Sequence, residues 1–366
     1  MKKLFKFTLG FISILIIGSC YILNGYHMPI NRSLLIADID TKPIFKNRVI
    51  NNPVSKKLSL FGDRTINKGL LLNAPNHLKI GTYIKTDDQA IHPSIVYDPQ
   101  ARFGYRYIMA FTPYSFLNDQ TENPSIVVSH DGIHFEDFPG LTNPISLPEK
   151  HCHLSDVSLF FRDDTLELWY RVSNKKTRLS KLVRKTSKNL KDFSPEETIF
   201  DFGTGGYGYG APTILYEDGW YKIYYRKNMN IGEDAYVFTQ SKDLKEFTPP
   251  IPLEMTKGEW SNYNPWHLEI KKVEDRYYCL SMDCPDGKME SSALFVSESS
   301  DGIHFENPIE VLCPCDKGYD DWLIYKSTFI VKDNRVLLYY SSIDKLKRSY
   351  ISLLTGPDFL NLSPVN

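Results

Sequence analysis

His92, Asp156, Ala211, His267 and Lys326 each open a short, largely apolar stretch of the chain. Ser94, Ser158, Thr213, Glu269 and Thr328 stand two residues further on. Side chains alternate along a strand, so each opening residue shares a face with its partner two positions on. Four of the five opening residues are ionisable. A strand core tolerates such groups only where they face a polar cavity or one another. Carboxylates beside an imidazole that titrates near neutrality are the material of proton transfer. Asp156 with Glu122 or Glu269 makes an acid/base pair, and His92 is a proton shuttle or an orienting donor. Lys326 and Arg226 are cations suited to an anionic group on a ligand. Each residue also has a structural reading. Asp156 can accept backbone N–H groups, and Glu122 can cap its loop through Asn123. His267, after Trp266, can be a packed histidine. Lys326 can neutralise Asp156 or Glu269.

The elements that must position these residues repeat. Ser129-His-Asp131-Gly-Ile-His-Phe135 returns as Ser299-Ser-Asp301-Gly-Ile-His-Phe305, with Ser187-Lys-Asn189-Leu-Lys-Asp-Phe193 and Ser241-Lys-Asp243-Leu-Lys-Glu-Phe247 between them. The period is 54 to 58 residues. In phase with it run five copies of strand, turn, strand. Four of their turns, Asp163-Asp164, Asp218-Gly219, Glu274-Asp275 and Asp333-Asn334, have hairpin chemistry. Four copies continue through a third strand into the Ser-x-Asp turn and a fourth strand. Four short strands per 50 to 60 residues is a propeller blade. The fold class is therefore all-β, a five-bladed β-propeller over residues 78–366. Leu78 to Lys85 is expected to supply the missing outer strand of the fifth blade and close its edge. Loops between second and third strands return to the rim where the inner strands begin. That brings Asp119, Glu122 and Asn123 beside His92, Arg171 beside Asp156, and Arg226 with Glu233 beside Ala211. Tyr105, Tyr114, Tyr207, Tyr209, Trp266 and Tyr325 are the aromatics of the mouth.

Composition narrows the classes of function. Lys plus Arg is 43 and Asp plus Glu is 44, a net charge of -1, without the basic surplus of a nucleic-acid binder. Aromatic residues reach 13%, which favours strands. Gly203 to Gly210 is glycine-rich, yet no lysine or helix follows, so it is no phosphate loop. There is no nucleophile elbow or dinucleotide fingerprint. Six cysteines, Cys20, Cys152, Cys279, Cys284, Cys313 and Cys315, show no zinc spacing, so no metal ligands are assigned. Cys279 and Cys284 are near enough to pair, but small buried hydrophobes is the favoured reading. Lys2, Lys3 and Lys6 precede an uncharged run from Phe7 to Leu23. Residues 1–25 thus read as a signal peptide or anchor, and 26–77 as a connecting arm. Ile17-Gly18-Ser19-Cys20 resembles a lipobox, with lipidation at Cys20. An uncleaved signal anchor is the alternative. Either places the body of the protein outside the cytoplasm, tethered to a membrane.

Five blades of this kind resemble the superfamily of five-bladed propeller glycosidases, which includes glycoside hydrolase families 43, 32, 68 and 130. The resemblance covers about three quarters of the chain. Its residues are His92-Pro-Ser, Tyr105 to Tyr114, Glu122 to Ser129 and Trp266-His-Leu-Glu-Ile270. It implies a glycosidase-like enzyme that hydrolyses or transfers a glycosyl unit of a surface polysaccharide. In family 43 an Asp begins blade one, another begins blade two, and a Glu precedes Ala-Pro in blade three. Asp156 matches the second, while His92 and Gly210 stand at the other two. Asp156, Glu122, Glu269 and His92 are then the catalytic candidates. His267, Lys326, Tyr325, Arg171, Arg226, Asn123 and Trp266 are the substrate-binding candidates. The partner implied is carbohydrate. No cofactor is implied, with room for a structural cation in the central funnel, as His267 would bind in some relatives. A non-catalytic glycan-binding or assembly propeller is the alternative, and a scaffold for protein partners a third.

Overall fold

The computed structural model describes residues 76–365, apart from 85–87, 205–209, 229–233, 256–262, 286–287 and 316. The amino-terminal segment and Cys20, most of the arm, Tyr207, Tyr209 and Glu233 lie outside the described residues. Five antiparallel sheets follow one another along the chain. Their inner strands are Ala90–Tyr97, Cys152–Arg162, Gly210–Glu217, Tyr263–Val273 and Leu323–Lys332. Each packs against the inner strands of two neighbours, and the fifth meets the first, so the ring closes. The core is five apolar layers, one between each pair of adjacent sheets.

Local chemistry accounts for the blades. The hairpins of blades two to five turn in two residues. In Asp218–Gly219 and Asp333–Asn334 both turn residues are left-handed, the conformation that matches strand twist. The repeated serine and Asp/Asn make one turn four times. Ser129 Oγ accepts from Gly132 N at 2.9 Å, and Asp131 Oδ1 from the amides of Ile133 and His134 at 2.8 Å. Asn189, Asp243 and Asp301 repeat the pattern. Gly132 sits at φ 81°, and a Cβ there would stand 2.7 Å from Tyr339 Oη of the fifth blade. Phe135 and Phe305 pack into the layers between blades, as their places in the repeat imply.

Closure differs from expectation. The fifth sheet takes its outer strand from the carboxyl-terminal tail, Ser363–Pro364, rather than from Leu78 to Lys85. The tail folds back after Gly356, whose missing side chain lets the carbonyl of Asn361 pass close by. Leu78 still touches that sheet: its amide donates to Ile351 O at 2.8 Å, and Leu78 and Ile80 fill the layer between blades five and one. Blade one has three strands, with a single bridge from Val128 to Glu136 in place of a fourth. Cys152, Cys279, Cys284, Cys313 and Cys315 are all unbridged, and Cys313 alone of them is not fully buried. Among the described residues no helix is long and apolar enough to cross a membrane.

Candidate functional site

Each inner strand skips register where it starts. The breaks fall between Ile91 and Ser94, Ser155 and Ser158, Gly210 and Thr213, Pro265 and His267, and Ile324 and Ser327. Such bulges re-aim side chains. His92, Asp156 and Ala211 occupy them at φ 55°, 57° and 51°, a conformation costly for residues other than glycine. The opening residues and their partners two positions on therefore separate into two tiers.

The lower tier clips the blades together. Ser94 Oγ accepts from Leu159 N at 2.9 Å, Ser158 Oγ from Ile214 N at 3.3 Å, and Thr213 Oγ1 from Ile270 N at 3.4 Å. Glu269 belongs here. It accepts from Thr328 at 2.9 Å and Thr213 at 3.5 Å, with Lys271 Nζ at 3.7 Å and Lys326 Nζ at 4.0 Å. Lys326, expected to face a ligand, is wholly buried and donates to the carbonyl of Val157. Lys271 Nζ donates to the carbonyls of Ile95 and Phe329.

Above them His92, Asp156 and His267 meet. His92 Nε2 is 3.5 Å from Asp156 Oδ1, and His267 Nδ1 is 3.6 Å from the same oxygen. All three residues are buried, and these atoms, with His267 Nε2, lack a hydrogen-bond partner. A buried polar group left unpaired costs about 1–3 kcal/mol, so a cluster of four is a place where a ligand would be stabilised. Donors about 2.0–2.2 Å from one ion stand roughly 3–4 Å apart; Asp156 Oδ1 is that far from each imidazole, and one donor atom from each of the three residues lies within 4.8 Å of the others. The remaining atoms are fixed from behind. His92 Nδ1 lies 2.9 Å from Thr112 Oγ1. Asp156 Oδ2 takes Arg171 Nε at 3.0 Å and Ala211 N at 3.3 Å. A ring nitrogen or carboxylate oxygen held this way presents its other atom to a metal. The set fits a divalent cation, where the sequence assigned no metal ligands.

Electrostatics agree with that division. Burial raises the Asp156 carboxyl, but Arg171, His92, His267 and Lys326 outweigh it and hold it well below its usual range. Burial lowers His92 to about 4, and also lowers His267, keeping both imidazoles neutral as ligands must be. Glu122 Oε1 flanks the cluster, 3.7 Å from His92 Nδ1. Burial, and next the charge of Asp156, push its carboxyl well above the ordinary value.

Around the cluster the predicted mouth residues take definite places. Asn123 Nδ2 donates to Tyr83 Oη at 2.6 Å and fixes the loop behind Glu122. Asp119 pairs with Lys175 at 2.6 Å. A Cβ on Gly210 would meet Arg171 Nη1 at 3.2 Å and Asp156 Oδ2 at 3.5 Å. The guanidinium thus fills the space into which a side chain at 210 would grow. Tyr325 packs edge-on to His267 at 4.5 Å and tilted to His92 at 5.3 Å. Trp266 Nε1 lies 3.3 Å from Tyr325 Oη, and the Arg226 guanidinium stacks 4.4 Å over the Trp266 ring. The sequence missed the bulges and what they do to the donors. The only trace of them was polar residues at the head of apolar strands.

No family model matches the chain. It is 26% identical over 314 residues to the A type blood N-acetyl-alpha-D-galactosamine deacetylase of Flavonifractor plautii. The match covers 71% of this chain, which spans about 40% of that relative's length. A crystal structure of an N-acetylgalactosamine deacetylase from F. plautii, in complex with blood group B trisaccharide, superposes with a TM-score of 0.70. The identity there is 19%, over 78% of this chain and 95% of that one. A thermostable family-43 glycoside hydrolase gives 0.56, at 14% identity over 76% and 93%. The fold is one shared with carbohydrate-active enzymes. A structure described as a glycoside hydrolase adds a TM-score of 0.58 at 12% identity over 82% and 95%.

Proposed function

We propose that this propeller is a carbohydrate-active hydrolase that binds a divalent cation through His92, Asp156 and His267 and removes an acyl group from an amino sugar of a glycan. The observation that carries the reading is the convergence of unpartnered donor atoms from three blades in one buried cluster. The likeness to the deacetylase supports the substrate class. A bound first-row cation would act as a Lewis acid toward an acyl carbonyl oxygen.

The chain's own groups have the remaining tasks. Glu122, in its ionised form, takes a proton from the water whose oxygen bonds to the acyl carbon, and its raised affinity for that proton holds it until it passes to the leaving nitrogen as the C–N bond breaks. Arg171 keeps Asp156 ionised and turned toward the imidazoles. Trp266, with the Arg226 guanidinium stacked on one face, forms a wall on which a sugar ring can lie. Cleavage of a glycosidic bond fits less well. It needs two carboxyls free to approach one linkage, whereas Asp156 has one oxygen tied to Arg171 and the other between two imidazoles.

The same reading places the enzyme outside the cytoplasm, held at the membrane by its amino-terminal segment, supported by Lys2, Lys3, Lys6 and the apolar run that follows. Cell fractionation tests this: a wholly cytosolic protein contradicts it. For the activity, the purified protein is offered a panel of N-acetylated oligosaccharides. Acetate release and new reducing ends are followed, with and without a chelator. Acetate that disappears with chelation and returns with added divalent cation is the expected result. Reducing ends without acetate would restore the glycosidase reading. Binding with neither product would make the protein a glycan-binding propeller.

A further inference from the structure

The three cation-binding side chains hang from irregular backbone, which must be held in shape by something other than strand pairing. At Asp156 the chain sits at φ 57°, inside a gap in the ladder between Ser155 and Ser158. Conformations of this kind are costly for a residue with a side chain and persist only where the surroundings over-determine them. At His267 the ladder is broken after Pro265. Two buried polar groups end on these breaks.

Lys326 reaches across the funnel from blade five. Its ammonium donates to the carbonyl of Val157, the residue after Asp156. Nothing local demands a lysine there. A buried ammonium is costly, and an apolar residue of similar volume would pack without that cost. What the ammonium adds is a bond to the bulge of a blade that is not its neighbour, anchored by Glu269 at 4.0 Å. Tyr236 comes from blade three. Its hydroxyl lies 2.7 Å from His267 O and 2.8 Å from Asp283 Oδ1, and accepts from Trp266 N at 3.2 Å. One hydroxyl thus holds both peptide groups of the blade-four bulge.

We propose that Lys326 and Tyr236 are positioning residues that set the geometry of the His92–Asp156–His267 donor set by fixing the two backbone bulges that carry Asp156 and His267. The proposal rests on the cation-binding reading above. Neither residue touches the reacting groups. Each acts on where a donor atom stands, so its removal should weaken cation binding while leaving the propeller folded.

The test uses the full chain and its K326M and Y236F variants, titrated with Mn²⁺ and Zn²⁺ by calorimetry and by competition with a chromophoric chelator. Circular dichroism and the melting temperature without metal report the fold. Each variant is expected to bind about 10- to 100-fold more weakly, the usual effect of losing a group behind a metal ligand, with an unchanged dichroism spectrum. Wild-type affinity in both variants would overturn the proposal and leave the cation-binding reading standing. A wild-type chain that binds neither ion would overturn both. If K326M does not fold, Lys326 is structural and that half of the proposal fails. Y236F, which keeps the ring and deletes one hydroxyl, then decides the other half.

Discussion

Asp156 and Glu122 flank the same imidazole, that of His92, yet their environments push them in opposite directions. Asp156 is held ionised beside Arg171, with Oδ1 turned to the two imidazoles. Glu122 is held toward its protonated form. Two carboxyls with separated affinities for the proton have separate tasks, and substitution should separate them. Glu122→Gln keeps the shape of the side chain and removes its proton transfer. Turnover should fall about 10²–10⁴-fold, with cation affinity within a few-fold of wild type. Asp156→Asn deletes the anionic donor, and both cation affinity and turnover should collapse together. Calorimetric titration beside an acetate-release assay checks both. A Glu122→Gln protein that turns over normally would remove that residue from the chemistry. The sequence named both residues: Asp156 as a polar group at the head of an apolar strand, and Glu122 from the loop that returns to the rim beside His92. It did not show which oxygen of Asp156 is free, since that depends on Arg171 arriving from the next strand.

Turns were legible for the opposite reason: their chemistry is complete within a few residues. Ser129 to His134 makes its own hydrogen bonds, so the same letters gave the same turn at each recurrence. Bulges and closure were not legible. A bulge is a one- or two-residue departure from the strand period, and the choice of the carboxyl-terminal tail as outer strand depends on packing around Gly356 and Leu78. Two predictions belong to this scale. Gly132 and Gly219 both have positive φ, but only Gly132 lies against another side chain. Gly132→Ala should lose more than the roughly 1–2 kcal/mol of the left-handed conformation alone, and Gly219→Ala no more than that, read from urea melts. The second concerns Glu217, which joins the hairpins of blades three and four. Burial raises its pKa, but hydrogen bonds from Lys222, Lys272 and Tyr277 outweigh it and bring it to about 2. A depressed carboxyl stabilises the fold above its unfolded pKa, and that stabilisation is lost as pH falls through the folded value. Wild type should therefore lose stability against Glu217→Gln between about pH 4.5 and 2. Parallel curves for the two proteins over that window would show the contact to be idle.

Over the whole molecule, the ring creates a site that no blade contains. His92, Asp156 and His267 come from blades one, two and four, and Lys326 of blade five reaches back to blade two. A cation bound there would cross-link three sheets, adding to the apolar layers and the lower-tier hydrogen bonds that join neighbouring blades. Binding to the native state alone raises stability by RT ln(1 + [L]/Kd), about 2.7 kcal/mol at a hundredfold excess over Kd. Unfolding must pull the donors apart, so the full effect should appear in the melting temperature. Adding Mn²⁺ or Zn²⁺ to chelator-treated protein should raise the melting temperature by a few degrees, and more with each tenfold rise in concentration. His267→Ala should abolish the increase, and so should His92→Ala, although the two lie 175 positions apart in the sequence. An exposed site would produce a shift that shrinks with ionic strength. Because the donors are buried, this one should persist in 0.5 M NaCl, and a shift that vanishes there would place the cation on the surface instead.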